Sequence, residues 1–283
     1  MQTNSNDGIL SLTIDGNDLN KFTTLNKRLK SIKFPFPAPA NPEEALYFWD
    51  KFKQKDIVYK LRHVEPPSTL YYKGKDWNFL NVDLTVGFGG TESPTVDGSM
   101  ATILLGQLVC QQEGVVISGG VFGVDMMAHL GALDMGGKTF AVLGNDVNSG
   151  LHPYIPQRKL LETSILNNGG FISEYPDFGN RFGDRLLQRD RIITALSSLF
   201  IVVESGEKSA TVDTAKRAYL QGITVFAINW DYMPEVNITR PREGNIQLIN
   251  ELIALPFPHK PIKTYDELAD EFKTALSLLP KLN

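Results

Sequence analysis

Three segments of this chain place small, hydroxyl-bearing and acidic residues directly after short apolar runs. G-G-T-E-S-P-T (89–95) follows Phe88, S-G-G-V-F-G-V-D (118–125) follows Ile117, and E-S-G-E-K-S-A-T-V-D-T-A (204–215) follows Val203. The chemistry suited to that pattern is anion binding. Glycine lets backbone approach a phosphate closely, hydroxyls add donors, and the N–H groups and dipole at a helix start favour negative charge. The chain therefore reads as a phosphate-binding protein.

Cationic groups gather in R-F-G-D-R-L-L-Q-R-D-R (181–191). In a helix running from Arg185, Arg185 and Arg189 share a face and Arg191 points elsewhere. Arginines at the start of such a helix would face the phosphate loops, where a planar guanidinium suits bidentate contact. Asp184 and Asp190 offer the alternative of a solvated, internally paired face. Asp125, Glu174 and Glu204 lie at or just after strand ends, where carboxylates could meet a ribose hydroxyl or an N-glycosidic bond.

Other chemistries find little support. No G-x-G-x-x-G opens the first strand–helix unit, which argues against a conventional dinucleotide dehydrogenase. G-G-K-T (136–139) mimics part of a P-loop but precedes a strand instead of following one, and Ala132 stands where the first glycine is required. Gly136 is better read as a helix C-cap. Histidines 63, 129, 152 and 259 have no metal-ligand spacing. His129, one helical turn from Asp125, reads as a hydrogen-bonded structural residue, and Cys110 as packing. No nucleophile elbow occurs, and neither a metal nor a cofactor is expected.

These loops need a frame. Candidate strands are 83–88, 115–118, 139–143, 171–173, 199–203 and 223–228, with helices at roughly 97–112, 122–135, 157–168, 186–197 and 209–221, and further helices at 244–254 and 264–279. The strands are almost continuously apolar, as in a sheet covered on both faces. The expected fold is α/β, a doubly wound, mainly parallel Rossmann-like sheet with ligands at the carboxyl ends of its strands. Residues 1–8 read as disordered and F-P-F-P-A-P-A (34–40) as a connector. Asn41, Pro42, Glu43 and Glu44 open a helix. Three regions are expected: a helical or irregular 1–75, a Rossmann-like 76–255 and a helical tail 256–283.

At 283 residues the chain can bury a full core, and one cysteine rules out an internal disulfide. No run approaches the roughly 20 apolar residues of a membrane span, and the first residues lack the pattern of a secretion signal. A cytoplasmic location with no membrane partner is expected. A net charge of −4 is low for a nucleic-acid binder, so local clustering of basic residues matters more than the sum.

In order, P-P-S-T-L-Y-Y-K-G (66–74), S-G-G-V-F-G-V-D-M-M-A-H-L-G-A-L (118–133), G-G-K-T-F-A-V-L-G (136–144), P-Y-I-P (153–156), G-G-F-I-S-E-Y-P (169–176), R-D-R-I-I-T-A-L-S (189–197), I-V-V-E-S (201–205) and T-V-D-T-A (211–215) resemble the DNA-processing protein A family (DprA, also called Smf). The resemblance covers residues 66–250. It implies a non-enzymatic, cytoplasmic and usually dimeric protein that binds single-stranded DNA and helps load the RecA recombinase in natural transformation. It carries phosphate contact onto Ser118, Gly119, Gly120, Gly123 and Asp125, onto Arg189 and Arg191, and onto Ser209, Thr211 and Thr214. Gly87, Gly89, Gly90, Phe122 and Arg185 complete the candidate set.

Four positions depart from the family pattern. Phe88 follows Val86-Gly87 where the family has an arginine, and Phe122 stands in place of a second one. Asp190 replaces the asparagine between the two carried-over arginines, and Leu186 replaces an aromatic residue. Phe122 could block the cleft or stack on a base. A nucleotide-binding sensor or hydrolase of the wider DprA- and LOG-related group is the competing reading, although the Pro-Gly-Gly-x-Gly-Thr signature of the LOG hydrolases is absent.

Overall fold

Runs of buried β-branched and aromatic residues separated by amphipathic segments become a single sheet with helices on both faces. A computed structural model describes residues 10–13, 67, 69–74, 82–177, 182–234 and 242–279. Its strands are β1 (Leu10–Thr13), β2 (Thr69–Gly74), β3 (Thr85–Gly89), β4 (Val115–Gly119), β5 (Lys138–Val142), β6 (Gly169–Ser173), β7 (Leu199–Val202), β8 (Thr224–Ile228) and β9 (Leu255–Phe257). The helices are α1 (Val96–Gln111), α2 (Val124–Asp134), α3 (Arg158–Asn168), α4 (Phe182–Leu196), α5 (Ala210–Leu220), α6 (Glu243–Asn250) and α7 (Tyr265–Leu278).

The strand order is β1-β2-β6-β5-β4-β3-β7-β8-β9. From β6 to β9 all neighbours are parallel, while β2 runs antiparallel to β6 and to β1. The chain winds from β3 outward through β4 and β5 to β6, then returns to the other side of β3 with β7. That reversal is the topological switch point at which doubly wound sheets open a crevice beyond their strand ends.

The period-two alternation of a strand sorts the core into layers. On β4, Val115 and Ile117 pack with Ile192 of α4, Val212 of α5 and Leu248 of α6. Val116 faces the opposite layer, with Leu105 of α1, Ala128 of α2 and Phe272 of α7. A third cluster, Ala141, Leu143, Leu151, Ile165 and Phe171, seats α3 against β5 and β6. Thr95, Ser209 and Thr264 cap α1, α5 and α7 through side-chain oxygens that accept first-turn N–H groups.

The expected doubly wound sheet is present, and its core elements lie within a few residues of their expected bounds. Three differences stand out. Residues up to 75 read as helical or irregular, yet 10–13 and 69–74 are strands: Leu70 and Tyr72 are buried while Tyr71 and Lys73 are partly exposed, the alternation of a strand covered on one face. The helix expected over 244–254 ends at Asn250, where Leu252 turns the chain at φ +57° into β9, a strand lying across the expected boundary at 255/256. Helix α4 begins at Phe182, four residues early, with Asp184 as its first-turn acid. Gly136 has φ +62° just past α2, as a C-terminal cap requires. The Pro-rich connector and the helix expected from Asn41 lie outside the described residues. Among the described residues, no helix is long and apolar enough to cross a membrane.

Candidate functional site

The three loops meet at the switch point and are tied to one another by backbone. Thr91 N–H donates to the Glu204 carbonyl at 2.8 Å, and Val124 N–H to the Thr91 carbonyl at 3.2 Å. Thr211 Oγ1 donates to the Gly90 carbonyl at 3.2 Å. The loops after β3, β4 and β7 thereby form one rim around a cleft of about 420 Å³. Gly89, Gly90, Val121, Asp125, Ala210, Thr211 and Thr214 line it, with Arg189 and Asp190 of α4 closing one side.

Helix α5 starts at this cleft. The first N–H groups of a helix have no intrahelical partner. Ser209 Oγ accepts one of them, from Val212, at 3.3 Å. Ala210 and Thr211 thus bring the positive end of the helix dipole, and Thr211 and Thr214 bring hydroxyls, to the same wall. An anion seated there would meet donors on one side and a guanidinium on the other.

Arg189 is 4% exposed and heavily bonded. Its Nη1 donates to the Val142 carbonyl at 2.9 Å, its Nη2 lies 3.4 Å from Asp125 Oδ2, and its Nε lies 3.1 Å from Asp190 Oδ1. Asp125 in turn accepts from Ser118 Oγ at 2.9 Å. Asp190 accepts from Thr214 Oγ1 at 2.8 Å. Arg217, whose Nη1 donates to the Leu187 carbonyl at 2.5 Å, adds a cation near Asp190. Two arginines, Arg189 and Arg217, thus meet Asp125 and Asp190, with Asp213 near Arg217 and Glu92 on the cleft lining. Burial pushes the Asp190 carboxyl above its ordinary range, against the opposing pull of Arg189, Thr214 and Arg217. Protonation of Asp190 would remove one negative charge from this group.

Beneath Gly119 lies His129, whose pKa burial lowers below the ordinary 6.5. Its Nε2 is 2.8 Å from the Gly119 carbonyl, an acceptor, so Nε2 carries the proton. The neutral ring then accepts at Nδ1 from Thr139 Oγ1 at 2.7 Å. As expected, this is a structural histidine. Cys110 is likewise buried enough to push its thiol up to about 11.

The candidate residues divide into three groups. Gly89, Gly90, Asp125, Arg189, Thr211 and Thr214 line the cleft. Ser118, Gly119, Gly120, Gly123 and Ser209 shape it without lining it. Ser118 is buried under Asp125, and Gly120 leaves room for Leu143 and Leu151. Gly123 adopts φ +94° at the start of α2, where a side chain would strike Thr91 and Glu92. Ser209 caps α5. Gly87 is a packing residue, since a Cβ there would press on Ser197 and Phe200.

The remaining candidates sit elsewhere. Arg191 makes a two-pronged contact with Glu174 at 2.6 and 2.7 Å. Arg185 pairs with Asp177 at 2.9 Å and lies 4.4 Å from the centre of the Tyr175 ring. Phe122 stays 42% exposed. Two of the carboxylates considered for ribose binding are spent within the fold. Glu174 holds Arg191, and Glu204 accepts from Thr95 N–H at 2.8 Å and Thr95 Oγ1 at 2.5 Å at the start of α1. Sequence reading missed Arg217 and Val121. Arg217 lies in the last turn of α5, three residues after Thr214 on the same face.

Residues 51–266 match the family described as DNA recombination-mediator protein A. The DNA processing protein DprA of Bacillus subtilis (strain 168) is 31% identical over 164 residues, 58% of this chain and 54% of that protein. Its counterpart in Streptococcus pneumoniae is 33% identical over 171 residues, 58% of this chain and 56% of that protein. The chain thus spans about half the length of these relatives. DNA processing protein A of Helicobacter pylori, solved for its single-stranded DNA binding mode, superposes with a TM-score of 0.60 at 25% identity, covering 75% of this chain and 89% of that one. The Streptococcus pneumoniae structure shares the fold, with a TM-score of 0.61 at 22% identity over 95% of this chain and 99% of that one. With its ordered motifs, its switch-point cleft and a family match over most of its length, the chain belongs to the DNA recombination-mediator protein A family.

Proposed function

We propose that this chain binds single-stranded DNA, seating backbone phosphates in the cleft where the loops after β3, β4 and β7 meet, and that it does so without making or breaking covalent bonds. The observation that carries the reading is the convergence of Arg189, the α5 start, Thr211 and Thr214 on one cleft. Phosphates recognised through backbone N–H groups, hydroxyls and a guanidinium carry no sequence information, which suits a protein that takes any strand. The relative solved in its single-stranded DNA binding mode has the same fold. Family membership extends the reading to a cytoplasmic homodimer that protects incoming strands and supports loading of the RecA recombinase.

The competing nucleotide reading has one point in its favour, a cleft volume suited to a single small ligand. Its weakness is the carboxylates. Glu174 and Glu204 are committed to Arg191 and Thr95, and Asp125 to Ser118 and Arg189.

Fluorescence anisotropy with a labelled single strand, repeated from low to high salt and in competition with nucleoside monophosphates, tests the proposal. Log affinity is expected to fall linearly with log salt, at about 0.7 per phosphate neutralised. Monophosphates are expected to compete only weakly. Salt-independent binding, or tight binding of a monophosphate with none of the strand, would overturn it.

A further inference from the structure

Bases need a surface as well as phosphates. Among the described residues, the aromatic residues lining the cleft are Phe88 and Phe200, core side chains 1% exposed, and position 186 is a leucine. Among those residues, exposed rings that could stack on bases lie outside the cleft.

The loop over 143–157 leaves the carboxyl end of β5 on the rim that holds the cleft. His152 N–H donates to the Gly120 carbonyl at 3.2 Å, one residue before Val121 of the cleft wall. This loop is firmly built. Asn145 Nδ2 donates to the Gly150 carbonyl at 2.9 Å, and Asp146 Oδ1 accepts from Asn148 and Ser149 N–H, both at 2.9 Å. Leu151 N–H donates to Glu162 of α3 at 2.9 Å, and Leu151 and Ile155 are anchored in the core. From this rigid mount the rings of His152 and Tyr154 project side by side, 5.0 Å apart at 43°. Tyr154 is 86% exposed, although it is flanked by two prolines and the buried Ile155. Phe122, two residues past Gly120, is 42% exposed.

We infer that Phe122, His152 and Tyr154 form a base-stacking platform beside the phosphate cleft, on which bases of a single strand lie while the flanking phosphates enter the cleft. This rests on the strand-binding reading above and adds to it the surface that holds the bases. Every base has a π-face, so stacking of this kind tolerates any sequence. Fixing the rings in advance also lowers the ordering cost of binding.

The test compares two labelled strands of about 15 nucleotides, one of thymidine and one abasic, so that phosphates are shared and bases are not. Full-length protein is measured as wild type, Phe122→Ala, Tyr154→Ala and Tyr154→Phe. Each alanine variant is expected to weaken thymidine-strand binding about tenfold. Affinity for the abasic strand should stay within about twofold, thermal midpoints should stay unchanged, and Tyr154→Phe should bind like wild type. Equal losses on both strands, or no loss on either while the wild type binds with the expected salt dependence, would overturn the platform alone. A wild type that binds neither strand would overturn the platform and the cleft reading together.

Discussion

The guanidinium of Arg189 fills the space that a side chain at position 119 would need. A Cβ built on Gly119 would overlap Nη1, Nη2 and Cζ of that arginine. The glycine after Ser118 therefore serves an arginine 70 positions later, and the loop after β4 and the basic cluster form one structural unit.

Gly119→Ala should act as an Arg189 mutation. Arg189 would have to leave the Val142 carbonyl and Asp125. Breaking a buried ion pair and its hydrogen bonds costs about 3 kcal/mol. Urea denaturation should show an unfolding free energy lower by that amount, and anisotropy should show weakened strand binding.

If strand phosphates enter the cleft, Asp190 should give strand binding a pH dependence. Burial raises its pKa, so the protonated form suits the fold, and its contribution to stability is full in acid and declines as pH rises through the raised pKa. Protonation also removes one negative charge from the cleft floor. Strand affinity should rise as pH falls through this titration, and Asp190→Asn should bind more tightly than wild type at neutral pH and lose that dependence. Affinity measured across pH for both proteins checks this.

His129 has the opposite sign. Its pKa is lowered by burial, so the stability it contributes is present above 6.5 and is lost as pH falls below that value. Thermal midpoints across this range should fall on acidification, and the drop should be shallower in His129→Gln.

Glu204 separates structure from ligand binding. Its carboxylate holds Thr95, the cap of α1, through both oxygens. Glu204→Ala leaves those donors without their acceptor and should cost about 2 kcal/mol of stability. Strand affinity, measured well below the new thermal midpoint, should change less than about threefold. A larger loss would place Glu204 in the binding site.

Much of this was legible in the residues themselves. The apolar runs ending in small residues marked β3, β4 and β7, and the resulting switch point brought their loops together. Strands toward the two ends of the sheet were harder to read. β2 is covered on one face and shows its pattern only in Leu70 and Tyr72, and β9 is three residues long and contains a proline. Of the charge pairings, only Asp190 as a partner inside the basic cluster was legible. Arg189 and Arg191 are two residues apart on α4, and their roles differ because helix rotation turns one toward Asp125 and the other toward Glu174. Which carboxylate meets which arginine is decided by the packing of α2 and β6 against α4, and no local pattern records it.

The central claim is that strand phosphates occupy the cleft between the loops after β3, β4 and β7. Nuclear magnetic resonance of the labelled protein, titrated with single-stranded DNA, tests it residue by residue. The backbone amides of Gly90, Val121, Ala210 and Thr211 and the Arg189 Nε–H are expected to shift first and furthest. Shifts confined to α3 and α7, with those five signals unmoved, would contradict it.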